Sequence, residues 1–166
     1  TYTLRLTAND GALSGSADVS VLVGLTQPGG PAMVLALDAS TGTTAPDTSG
    51  NGNAGTLSGG ATWLPAGGVV GGALDLNGTS GVVQVADSPT LQGGSAFTVS
   101  YWFRADSYNV NGAGLVSKRD GPTTNNTFTT FLQGNPADTS YRRINVDIDG
   151  NANRFTSQTQ IALGQW

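Results

Sequence analysis

The groups able to do chemistry in this chain are few and restricted in kind. All 11 carboxylates are Asp, and no Glu, His or Cys occurs. Without His the commonest general base and imidazole metal ligand are absent, and a Ser-His-Asp triad is excluded. Without Cys there is no thiolate metal site and no disulfide framework. What remains is oxygen chemistry. Asp and Asn in Gly-rich loops suit a hard cation such as calcium, which takes carboxylate, amide and carbonyl oxygens. One such loop gathers Asp47, Asn51 and Asn53, and a second gathers Asp120, Asn125 and Asn126. For the first, the alternative is a plain Asn/Gly turn. A third, Asp147-Ile-Asp149-Gly, lacks EF-hand spacing and reads better as a hairpin turn. Asp147 and Asp149 at i, i+2 on a strand stand roughly 7 Å apart. A retaining glycosidase pair needs about 5 Å. The two could mimic such a pair, but Asp149 abuts the turn Gly150 and carboxylates are few, so the chain is expected not to be an enzyme.

Aromatic groups offer a different chemistry. In AFTVSYWFR (residues 96–104) Phe97, Val99, Tyr101 and Phe103 alternate with Thr98, Ser100, Trp102 and Arg104. Period two places the first set towards a core and Trp102 on the opposite face. An indole ring there can stack on the apolar face of a sugar while neighbouring donors take its hydroxyls. Trp102, Arg104, Tyr101 and Tyr141 are the candidate ligand-binding residues. The alternative is that a loop covers Trp102 and its role is structural.

The elements that must position these groups read as strands. The chain has 166 residues, only 11% of them charged, with 25 Gly. Such a composition makes many turns and few helices. Strands are predicted at 33–37, 61–64, 72–76, 81–86, 96–104, 114–118, 127–133, 141–149 and 152–156. Leu74 with Leu76, and Val83 with Val85, should face the core. Upstream, Tyr2, Leu4 and Leu6 alternate with polar residues, as do Val19, Val21 and Val23. Asp10-Gly11 between them is a turn signal, so residues 1–23 read as a hairpin. Pro28-Gly-Gly-Pro31 punctuates a linker over 24–32. The net charge of −4 disfavours a nucleic-acid partner. No apolar run reaches the roughly 20 residues of a spanning helix, so no membrane insertion is expected.

Several motifs together resemble one family. They are LALDAS (35–40), DTSGNGNAGTLSGGATW (47–63), GGALDLNG (71–78), VVQV (82–85) and FTVSYWFR (97–104). Their order is similar to that of the laminin-G-like domain, a concanavalin A-like jelly roll. The final Gly164-Gln165-Trp166 resembles the family's G-x-W. Asn77 departs from it, standing where the family most often has Asp. Residues 1–23 resemble the last strands of an immunoglobulin-like module of the PKD or cadherin type.

The resemblance implies an all-β antiparallel β-sandwich over 33–166, with its C-terminal part missing from the sequence. It implies a secreted or cell-surface module of a larger multidomain protein. Its partner would be a glycan or an extracellular protein. Calcium would be the one cofactor, and the 118–126 loop is similar in place to a calcium loop of pentraxins. The alternatives are a structural spacer without a small ligand, or part of a polysaccharide-active enzyme.

Overall fold

The computed structural model of the chain describes residues 2–9, 14–21, 30–92, 96–108, 111–120, 125–149 and 153–166, with backbone alone for 2–9, 14–21, 119–120 and 125–127. The described residues are all-β. Their sheets are antiparallel, none closes into a barrel, and their one helical element is a short 3-10 turn at Pro89–Leu91.

Strands β1 (Tyr2–Asn9) and β2 (Ser14–Val21) form the expected hairpin, with Tyr2 opposite Val21 and Leu4 opposite Val19. A three-stranded sheet joins β3 (Thr44–Ala45), β4 (Gly55–Ser58) and β7 (Val82–Val85). A two-stranded sheet joins β5 (Thr62–Leu64) to β6 (Ala73–Asp75). The four-stranded sheet runs β11-β10-β9-β8, from Arg154–Thr156 through Ile144–Ile148 and Asn125–Leu132 to Ala113–Asp120.

β4 was not expected, because GTLS has one apolar residue and no readable alternation. Packing explains it. Leu57 is buried opposite Val83, and a Cβ on Gly55 would come within 2.5 Å of Val83 Cγ1. Gly here lets two strands approach. Gly59, at φ 64°, ends the strand so tightly that a Cβ would lie 1.8 Å from the Ser80 carbonyl oxygen. Asn77 clamps the facing turn. Its Oδ1 accepts the backbone N–H of Thr79, Ser80 and Gly81, and its Nδ2 donates to Gly59 O at 3.0 Å. Asp could not make that last bond, which gives a local reason for Asn at this position.

Three expectations need correction. Residues 33–37 make only an isolated bridge, Leu35 to Asp47. Leu37 turns the chain at φ 59°, and Val34 gives its N–H and C=O to the 47–48 loop. In β6 it is Ala73 that is buried, whereas Leu76 is 46% exposed. Residues 96–104 form no strand: no described strand hydrogen-bonds along them, and a single parallel bridge links Ala105 to Leu163. Their alternation survives in part, with Tyr101 and Phe103 half-buried and Ala105 buried, but Phe97 and Val99 are exposed.

The register of the four-stranded sheet separates two faces. One carries Ser117, Thr129, Asp147 and Arg154 in a row, with Phe131, Asn145 and Thr156 in the next. The other carries Val116, Thr130, Val146 and Phe155, flanked by Phe128 and Ile148 on one side and by Leu132 and Ile144 on the other. Segment 97–103 lies against this second face. The Phe97 ring stands 5.1 Å from that of Phe128, and Tyr101 donates its hydroxyl to Thr130 Oγ1 at 2.8 Å.

Candidate functional site

Asp47 sits where the loop after β3 doubles back on residues 31–34. Its Oδ1 accepts the N–H of Val34 and of Ser49, each at 2.9 Å. Its Oδ2 accepts Ser49 Oγ and Asn53 N, each at 2.8 Å. These donors hold the carboxyl well below the usual carboxylate range, the Val34 N–H most of all. Asn51 Nδ2 donates to the carbonyls of Pro31 and Ala32. Asn53, 4% exposed, donates to Ala32 O and Thr90 Oγ1. The D-x-S-x-x-x-N spacing thus ties residues 31–34, the loop and the Pro89–Leu91 turn together. This set does not fit a cation at Asp47, since N–H and O–H dipoles already point their positive ends at both oxygens. The side chains of Asp120, Asn125 and Asn126 lie outside the described residues; their backbones pair at the β8–β9 hairpin, Asp120 opposite Asn125. Among the described residues no three of His, Cys, Asp or Glu converge as a metal cluster.

The Asp147-Asp149 pair is divided by its surroundings. Arg154 grips Asp147 through two of its nitrogens, Nε to Oδ1 at 2.7 Å and Nη2 to Oδ2 at 2.8 Å. Asp149 turns out of the strand at φ 52°. Around them the polar face of the sheet is closed by its own bonds. Fully buried Asn145 donates to Ser140 Oγ and accepts from Thr156 Oγ1. Asp138 accepts both groups of Ser140 and the amide of Gln133, which hold its carboxyl below its ordinary range, the Ser140 hydroxyl first. Among the described residues no buried side-chain nitrogen or oxygen lacks a partner. Such satisfaction fixes geometry.

The expected ligand residues are distributed along 101–108 and around the segment 160–166. Trp102 is 71% exposed, on the side opposite half-buried Tyr101 and Phe103. Arg104 pairs with Asp106 at 3.1 Å and lies over the Trp166 ring at 5.4 Å from its centroid. The Ala105–Leu163 bridge and the Gly164 N to Ala105 O bond hold the 161–166 segment beside 104–106. One residue pair further along lies a second aromatic group that includes Tyr141. Tyr141 and Tyr108 meet edge to face at 5.8 Å, and the Arg142 guanidinium stands 4.9 Å and 5.1 Å from the Tyr108 and Tyr141 centroids. An open cleft of about 470 Å³ is lined there by Tyr108, Arg142, Gln160, Ile161, Ala162 and Leu163.

Arg142 adopts φ 62°, a left-handed conformation uncommon for a residue with a Cβ. Two bonds hold it, Arg142 N to Gln133 O at 2.8 Å and Ile161 N to Arg142 O at 2.7 Å. The expected strand over 141–149 therefore starts only at Ile144. Sequence reading named Tyr141 but not Tyr108, Arg142 or Gln160, which the structure brings beside it. A strained backbone leaves no mark in residue types, and Tyr108 is brought to Arg142 only by the tertiary fold.

No protein-family model, no curated protein and no solved structure matches this chain.

Proposed function

We propose that residues 33–166 belong to a laminin-G-like jelly roll that acts as a non-catalytic extracellular binding module and recognises glycans. In this reading residues 1–23 are the end of a preceding immunoglobulin-like module and the chain is part of a larger secreted or surface protein. The carrying observation is the exposure of Trp102, 71%, while its sequence neighbours Tyr101 and Phe103 turn inward. An indole left in water at a fixed position has apolar area to offer a sugar ring. Arg104, stacked on Trp166, supplies donors beside it. Tyr101 serves by anchoring the segment to Thr130. Calcium dependence, in this reading, belongs to the loop of Asp120, Asn125 and Asn126 rather than to Asp47.

A glycan array screened with and without EDTA tests this. A hit lost in Trp102→Ala, by tenfold or more in affinity, supports the lectin-like role; one stacked ring contributes about 1–2 kcal/mol. A folded chain with no hit on a broad array sinks it. The spacer reading then stands, and the internal saturation of the Asp47 loop favours it, because that loop is built to fix residues 31–34.

A further inference from the structure

We propose that the cleft between Tyr108, Arg142 and the 160–163 segment binds the carboxylate of an acidic sugar, a uronic acid unit within a glycan chain. This rests on the glycan reading and names the ligand class for the cleft beside Tyr141.

The case begins with how basic side chains are used. Arg104 pairs with Asp106, Lys118 with Asp87 and Arg154 with Asp147. Arg143 gives Nη1 to the carbonyls of Ser157 and Gln158. Arg142 differs from these: among the described residues no carboxylate lies within ion-pair distance of it, and its neighbours are two aromatic rings. The two rings, 65° apart, confine the guanidinium from two sides, and the Tyr141 side chain engages one of its donors. A guanidinium has five N–H donors, so a pair remains for the fork that matches a carboxylate with two parallel bonds.

The frame around it is fixed. Tyr108 donates its hydroxyl to Ile161 O, and Gln160 donates its amide to Tyr141 O. The backbone of Arg142 is held in a conformation that Gly adopts more readily. Occupancy by Arg therefore points to a use for the side chain. The floor of Ile161, Ala162 and Leu163 is apolar and suits the C–H face of a pyranose. The cleft volume falls in the range of small-ligand sites.

A single guanidinium selects the anion. A sulfated glycan wants several cations, and the adjacent Arg143 is already committed to backbone carbonyls. The chain's net charge of −4 also opposes a polyanion at long range. At physiological salt the screening length is about 8 Å, so the local pair can outweigh that repulsion.

The test is calorimetric titration of the 166-residue chain at physiological salt. The probes are hexamers of galacturonate, of alginate uronates and of hyaluronan, each beside its methyl ester, with a heparin hexasaccharide as the sulfated comparison. The expected result is one acidic hexamer binding at least about tenfold tighter than its ester, as a bidentate charged bond provides. Arg142→Gly should reduce that hexamer to the affinity of its ester while the melting temperature does not fall, and Arg142→Lys should restore part of the difference. Equal binding of acid and ester overturns the inference and leaves neutral-glycan recognition standing. Preference for the heparin probe, or an acid preference that survives Arg142→Gly, also overturns it. Binding to none of these probes and to no neutral glycan removes both readings together.

Discussion

At Asp47 four donors converge on one carboxylate, and each belongs to backbone or side chain that the loop must hold. The sign of its pH dependence follows. A carboxyl whose folded pKa lies below its ordinary 3.8 contributes stability in full at pH above that value. The contribution is lost as pH falls through the folded value, because the unfolded chain then binds more protons. Asp87 and Asp138 are shifted in the same direction, Asp87 first by its hydrogen bond from Lys118. Asp47→Asn should therefore lower the melting temperature at neutral pH and flatten its decline below pH 4. Melting scans of both proteins across the acid range check this. Parallel curves for the two proteins would show that Asp47 carries none of the acid sensitivity.

At the level of elements, β8 shows how one side chain repairs a break in a ladder. The β8–β9 register shifts between Gly114 and Val116, which leaves Leu115 without a counterpart on β9, next to the Val116 N–H and C=O. Thr130 Oγ1 takes both, accepting from Val116 N at 3.0 Å and donating to Val116 O at 3.1 Å, while also accepting from Tyr101. Thr130→Val keeps the shape and removes all three. It should cost about 2 kcal/mol, since half-buried backbone groups lose their partners. Thr130→Ser, which keeps the hydroxyl, should cost less than half as much. Chemical denaturation of the two variants measures the difference, and equal losses would assign the effect to the lost methyl. The bulge also marks what the sequence made legible. Alternation located β5 to β7 and β8 to β11 within a few residues, because apolar side chains at period two survive any packing. It failed at 33–37, where Leu37 leaves the strand region, and at 96–104, where the pattern exists but none of the described strands pairs with it. It missed β4 because there the packing is made by an absent side chain, at Gly55. At the candidate site it named Trp102, which is exposed, and Tyr141, which is half-buried. For the Asp47 loop it left a calcium loop and a plain turn both open, because Asp and Asn serve both uses with the same spacing.

For the molecule as a whole, the two edges of the four-stranded sheet are protected unequally. β8 carries Lys118 and an interrupted ladder, features that discourage pairing with another chain. β11 has its shortness and one cation, Arg154, which Asp147 holds over the sheet. Its three residues are all exposed, and Phe155 presents 63% of its surface to water beside Ile148. Long-range repulsion is weak, because charged residues make up 11% of the chain and the net charge is −4. Repulsion vanishes near pH 4.3, where the net charge reaches zero. Self-association through β11 is therefore expected, rising with concentration and strongest towards that pH. Phe155→Lys adds a charge to the open edge and removes the largest exposed apolar group on it. Sedimentation velocity over a concentration series should show a rising coefficient for the wild type and a flat one for the variant at neutral pH. If the two series coincide, association does not use this edge, and the exposed Trp102 and Trp166 become the surfaces to substitute next.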